Sequence, residues 1–308
     1  MKTVLAAALL WVLASGQVLA CDVCGCAVGG SYLGILPQFR RHFAGVRFQY
    51  RTFDSEHPNL FGGGIESVSR EQYLTAETWG RWTPLHNVQV FGFVPYHHFS
   101  RTEDGSLTRA SGLGDASVVA NWVVFNTGDS TRRAWKHALQ LGGGVKLPTG
   151  NARLLQSNGE AMPRNMQPGS GSVDFPINAM YTLRRGAWGM TAEGNYRINT
   201  PDAEGYRFGH RAGLASRIFY WKSMKHMTML PGAGIFWEHT SSDRLHGTAQ
   251  DFTGGHSLWA GVGMDWFMRR WAFSILYQHP LAAHIGEGYI QPMLLAPAEC
   301  PLRRYAQP

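Results

Sequence analysis

The stretch Trp188-Gly-Met-Thr-Ala-Glu-Gly-Asn-Tyr-Arg-Ile-Asn199 decides the fold. One parity carries Trp188, Met190, Ala192, Gly194, Tyr196 and Ile198, and the other carries Gly189, Thr191, Glu193, Asn195, Arg197 and Asn199. Successive strand side chains point to opposite faces, so this alternation defines one apolar and one polar face. After a turn at 200–205, Phe208, Ala212, Leu214, Ile218 and Tyr220 share one face, and Arg207, Arg211 and Arg217 share the other. Two strands of about 12 to 14 residues exceed the roughly 5 to 6 usual in globular sheets. A transmembrane strand needs about 9 to 11 residues, apolar toward lipid and polar toward the lumen. Both segments meet that requirement.

The composition agrees. The chain has 308 residues, 44% apolar and only 16% charged, with 37 glycines and a mean hydropathy of -0.20. After the first 20 residues no run is apolar enough for a spanning helix, which takes about 20 consecutive apolar residues. A membrane protein of this sequence is therefore a barrel; the rival, a large soluble β-domain, is disfavoured by strand length. The formal charge is +7, or +6 without Lys2. The arginines are dispersed along strands and turns with no aromatic-interleaved basic cluster, which argues against nucleic acid. Anionic lipid headgroups account for the charge equally well, so the expected partners are the lipid bilayer, lipopolysaccharide and a small-molecule solute.

Residues 1–20 combine one basic residue, an apolar run from Val4 to Leu13, and Val-Leu-Ala before Cys21. This reads as a secretory signal peptide, because the run is too short to anchor and small residues follow. Cysteine at the cleavage point also admits a lipoprotein reading. The next segment, 21–41, begins Cys21-Asp-Val-Cys24-Gly-Cys26. Thiolates at this spacing can close on copper or zinc. A disulfide, with Cys300 as one partner, is the alternative in an oxidising compartment. Met224, His226, Met227 and Met229 add soft ligands, but on a strand Met227 and Met229 share one face and read as lipid-facing.

Strands are expected near 42–53, 67–82, 87–100, 113–125, 136–147, 172–184, 187–199, 206–220, 225–239, 254–268 and 271–279. A twelfth near 287–296, weakened by Pro292, makes the number even, and the barrel then occupies 42–296 with a tail at 297–308. Connections alternate in length, long outside and short on the periplasmic side. The long ones are 54–66, 101–112, 148–171 and 240–253; the short ones are 83–86, 184–186, 221–225 and 269–270. Two fit less well: 126–133 is long for a periplasmic turn, and 200–205 is short for an outer loop.

Three motifs carry a family resemblance: Gly112-Leu-Gly-Asp115, Gly142-Gly-Gly-Val-Lys-Leu-Pro-Thr-Gly150 and Gln167-Pro-Gly-Ser-Gly-Ser-Val-Asp174. With them the chain resembles the outer-membrane barrels of the phenol-degradation MetA-type, or transporter, family. The N-terminal cysteine box with Leu36-Pro-Gln-Phe-Arg-Arg-His-Phe43 is similar to a Bacteroidota-type branch of it. The resemblance implies an all-β, up-and-down, 12-stranded porin-like barrel in the bacterial outer membrane, with an uptake role and no catalytic residues. The chain departs from such barrels in ending Arg304-Tyr-Ala-Gln-Pro308, without a terminal aromatic.

On the inner face, Glu193, Arg197, Arg207, Arg211 and Arg217 are candidates for setting selectivity. Mutual neutralisation in a filled lumen is the competing reading. Lys146 and Asp115 are candidates for the same network. His97 and His98 point to opposite faces and cannot act as joint ligands. A barrel enzyme of lipase or protease type would draw on His239, Ser241, Asp243 and His246 at the outer rim; a metal-binding membrane protein without transport is the third alternative.

Overall fold

The computed structural model describes residues 42–58, 65–127, 134–268 and 271–302. The strands are β1 Phe43–Pro58, β2 Ile65–Leu85, β3 Val88–Glu103, β4 Ser106–Leu113, β5 Ser117–Asn126, β6 Trp135–Lys146, β7 Phe175–Arg185, β8 Trp188–Ile198, β9 Tyr206–Arg207, β10 Arg211–Tyr220, β11 Lys222–Ser223, β12 Met227–Thr240, β13 Arg244–Leu245, β14 Thr248–Ala249, β15 Gly255–Met268, β16 Ala272–Ile285 and β17 Ile290–Leu302. The long strands pair antiparallel with their chain neighbours. β4 continues the ladder along the outer half of β3 and β5 along its inner half, so β4 and β5 form one stave broken at 114–116. Pairing of β1 with β17 closes a barrel of twelve staves. Closure removes the free sheet edges that lipid cannot hydrogen-bond. No helix among the described residues is long and apolar enough to cross a membrane.

The twelfth stave runs to Leu302, past the expected end at 296. It accommodates Pro292 through a register shift against β1 that bulges Met293. Its other edge is thinner: the β16–β17 ladder passes directly from Gln278↔Leu295 to Ile285↔Ile290, across the stretches holding Pro280 and Pro292. The expected long loop at 101–112 is instead a tight hairpin. Asp104 and Gly105 both take positive φ, at 47° and 82°, as a two-residue hairpin turn requires. Residues 59–64 and 128–133 lie outside the described set.

Burial follows the strand period inside out. Leu214, Ile218, Ile235 and Val262 are all more than half exposed, toward lipid. Arg47, Glu71 and Arg217 are each only 2% exposed, inside. At the short-turn end the outer surface carries an aromatic girdle of Trp82, Trp122, Trp135, Trp188, Tyr220 and Trp271, where an amphipathic ring suits the membrane interface. Phe208 departs from the expected parity: the strand breaks at 208–210, and its ring is buried inside with that of Tyr206.

Candidate functional site

The lumen is filled at two levels. At the periplasmic end Phe43, Trp79, Phe91, Phe93, Phe219, Leu230 and Phe267, from six of the staves, meet in one buried apolar cluster. Phe43 meets Trp79 edge-on at 4.7 Å between ring centroids, and Trp79 stacks on Phe93 at 6.1 Å. The Phe219 ring lies where a side chain at Gly189 would stand, so that glycine is needed for the close approach.

The outer mouth is closed differently. The connection 147–174 turns back into the barrel, burying Asn165 and Met166 of the short turn Arg164–Met166. Asn165 reaches the far wall, donating to the Tyr73 hydroxyl at 3.2 Å, and that hydroxyl donates to Glu71 at 2.6 Å. The connection is pinned where the glycine-rich stretches 112–115, 142–150 and 167–174 converge. Lys146 Nζ lies 2.7 Å from Asp115 and 2.6 Å from Asp174 and also donates to Ser170 Oγ. Asp115 further accepts from the Ser170 amide at 2.9 Å and the Gly150 amide at 3.0 Å. Gly150 and Gly169 pass backbone against backbone, so a Cβ on Gly169 would overlap Gly150. One cation between two buried carboxylates, with hydroxyl and amide donors completing their lone pairs, is the arrangement a buried charge requires. Lys146 and Asp115 thus form a clamp with Asp174. Beyond it, Arg164 bridges Asp202 and Glu204 and covers the Tyr206 ring at 4.8 Å. Tyr206 donates to buried Asp243, whose carboxyl is raised by desolvation, against the lowering pull of Tyr206, the Gly209 amide, Arg211 and Arg207.

Between the closures lies a cavity of about 120 Å³. Glu193, Arg197 and Arg211 line it, as the strand parity anticipates. Arg217 does not: it is held 2.8 Å from Asp265 and donates to the Leu230 carbonyl, between cavity and floor. Arg207 is not lumenal either. It belongs to the small β14-β13-β9 sheet and bonds His210 at 2.8 Å, because the break at 208–210 resets the parity. The sequence reading missed Arg47, Arg51 and Glu238, which complete the charged lining. Arg51 crosses the lumen from β1 to Glu238 on β12 at 3.4 Å, and Arg47 pairs with Glu77 at 3.3 Å. The signal was available: Arg47, Gln49 and Arg51 share one parity in β1, opposite Phe48 and Tyr50. A smaller chamber of about 70 Å³, lined by His97, Lys146 and Asp174, lies at the clamp and has Arg197 in common with the lining of this cavity.

The remaining candidates are scattered. His97 is buried and His98 exposed, on opposite faces of β3. His239 stacks on Trp237. Ser241 Oγ accepts from the His210 amide, while Asp243 is engaged by Tyr206 and Gly209. His226 is exposed at the periplasmic turn, and Met227 opens β12. Among the described residues no group of three or more His, Cys, Asp or Glu could hold a metal ion. Cys21, Cys24 and Cys26 lie outside the described residues.

No family profile and no curated protein matches this chain. Among solved structures, it is similar to an outer membrane channel from Pseudomonas putida F1, with TM-score 0.62, 16% identity, and 85% of this chain and 94% of that one covered. The β domain of the Bordetella autotransporter BrkA aligns with TM-score 0.48 at 12% identity, over 85% of this chain and 99% of that one. A Pseudomonas aeruginosa FadL homologue aligns with TM-score 0.39 at 11% identity, over 87% and 91%. The fold is that of the outer-membrane barrels, and closed antiparallel staves with a lipid-compatible exterior place the protein in the bacterial outer membrane.

Proposed function

We propose that the protein is a gated outer-membrane channel that admits a small solute into its lumen. The observation that carries this reading is an arginine-lined cavity held between two closures of unlike chemistry, an apolar floor and a salt-linked mouth. A barrel serving only as a membrane anchor has no need of a chamber lined with arginines. The mouth is the gate nearer the outside, and its connection is held by one lysine and two carboxylates. Solute entering past it meets the cavity and then the floor.

The test is conductance in planar bilayers. Neither Lys146→Met nor Phe219→Ala alone should give a lasting open state, because the other closure remains; the double variant should. A silent double variant that still shifts on unboiled electrophoresis, as a folded barrel does, would overturn the channel reading. The thin β16–β17 seam favours a second route, sideways into the membrane between Pro280 and Pro292. A disulfide between Pro280→Cys and Met293→Cys would block that route and leave axial conductance of the double variant unchanged. The thiols of Cys21, Cys24 and Cys26 are a separate proposal, as copper or zinc ligands beside the barrel; mass measurement of the mature protein distinguishes acylated, disulfide-bonded and metal-bound forms.

A further inference from the structure

The charges of the cavity do not balance. Its lining holds four guanidinium groups, from Arg47, Arg51, Arg197 and Arg211, against two carboxylates, from Glu193 and Glu238, and Glu77 outside the lining pairs with Arg47, so one guanidinium is in excess. The imbalance is sharpest between β8 and β10, where Arg197 stands directly opposite Arg211 in the ladder, both facing inward. Like charges directly opposed across strands are destabilising. Arg211 makes no ion pair with any described residue, and its Nε is buried without an acceptor. Arg51, 8% exposed, also has its Nε buried without an acceptor, and its contact with Glu238 is long at 3.4 Å. A buried donor left unmatched costs free energy that an anion would recover.

The staves between Arg211 on β10 and Arg51 on β1 carry an apolar patch. Phe236, Trp259 and Leu276, on β12, β15 and β16, form their own buried cluster against the same cavity. The chamber of about 120 Å³ is small. A protein cavity of about 150 Å³ holds benzene, so at most one ring or a short branched chain fits here as the apolar body, with its charged head reaching toward Arg197, which also lines the smaller chamber.

We propose that this cavity binds a small amphipathic monoanion, its carboxylate or equivalent oxyanion held by Arg211, Arg197 and Arg51 and its apolar body laid against Phe236, Trp259 and Leu276. The inference rests on the lumen being the solute's route and names the solute class. A planar guanidinium fork matches a carboxylate in two parallel hydrogen bonds, which a hydroxyl of the same size cannot reproduce. The uncharged analogue would leave the Arg197–Arg211 repulsion in place.

The experiment is titration calorimetry on the full mature protein in lipid nanodiscs, with benzoate, benzyl alcohol and inorganic phosphate as probes. Benzoate should bind at least tenfold tighter than benzyl alcohol and tighter than phosphate, which lacks the apolar body. Arg211→Gln should weaken benzoate at least tenfold and leave benzyl alcohol unchanged, while Arg211→Lys retains part of the affinity. Heat-modifiable migration of each variant confirms an intact barrel, and Arg51→Gln and Arg197→Gln repeat the test should Arg211→Gln not fold. Equal binding of benzoate and benzyl alcohol, no benzoate binding, or benzoate affinity unmoved in every folded Arg→Gln variant would overturn the assignment. Phosphate binding as tight as benzoate would reduce the site to a general anion site and overturn the amphipathic part. Failure of the channel reading is separate: benzoate binding by a barrel whose double variant never conducts would leave a binding protein.

Discussion

The floor and the mouth close the same lumen by different means. Phe91, Phe219 and Leu230 pack the floor mainly through buried carbon, with the Arg47 and Arg81 guanidiniums laid over its Trp79 and Phe43 rings at 4.7 and 5.1 Å. The mouth is held by Lys146 between Asp115 and Asp174, by serine hydroxyls, and by two glycines at backbone contact. Dispersion and apolar burial are distributed over many contacts and weaken gradually. A buried ion cluster has the opposite character: complete, it is locked, and with one member missing it is repulsive. Within one barrel, then, the floor yields in proportion to the carbon removed, Phe219 above all because its ring fills the close approach at Gly189, and the mouth turns on a single residue.

The sharpest way to break the comparison is Lys146→Met, which leaves two carboxylates buried together. Losing one partner of a buried pair costs about 3–5 kcal/mol, and the upper end applies with two acids stranded. The outer connection should become cleavable by protease on intact cells while the barrel stays folded. Phe219→Ala should cost about 4 kcal/mol, in the middle of the range for buried phenylalanine truncation. Its effect should appear as a lower unfolding midpoint of the whole barrel, with the outer connection still protected.

The two close approaches offer a matched pair with smaller effects. Gly169→Ala drives a methyl into the Gly150 backbone, whereas Gly189→Ala drives one into the Phe219 ring, which can turn aside. Overpacking costs about 1–3 kcal/mol; Gly169→Ala should fall at the upper end and open the mouth, and Gly189→Ala at the lower end. Equal losses in thermal melts would mean that backbone rigidity at the mouth counts for less than argued.

The smallest effect is pH dependence confined to the mouth. Desolvation raises Asp243 above the ordinary 3.8, so the folded loops bind a proton that unfolded loops have released. The stabilisation is full below 3.8 and is lost as pH rises through the elevated folded value. Protease protection of 241–254 should therefore decline across that window in the native protein and be flat in Asp243→Asn. The floor, measured by Phe219 packing, should not respond.

The comparison also marks what the sequence made legible. Strand parity is local, so the alternation in β8 and β10 reveals the barrel, its lipid face and the inward Glu193, Arg197 and Arg211. It fails where the strand breaks: at 208–210 the count shifts, putting Phe208 inside and Arg207 outside the lumen. The Asp104–Gly105 hairpin was hidden because its flanking residues, Ser106 to Leu113, alternate too weakly to read as strand. Pairings across the lumen are not local at all. Nothing in the order of residues tells that Arg51 faces Glu238, or that Lys146 meets both Asp115 and Asp174. The clamp residues were visible only as motifs, and their purpose needed the three segments to be brought together.

The account is tested most directly by asking from which side the cavity is shielded. Ser257 is buried and lines it, so Ser257→Cys in a background with Cys21, Cys24, Cys26 and Cys300 replaced by serine places one thiol there. The measurement is the rate at which a membrane-impermeant maleimide labels that thiol from outside intact cells. The expected result is slow labelling with the mouth intact, rapid labelling once Lys146→Met is added, and no acceleration from Phe219→Ala. Rapid labelling with Lys146 in place, or equal acceleration by Phe219→Ala, would contradict the claim that the outer side of this lumen is held shut by its buried charges.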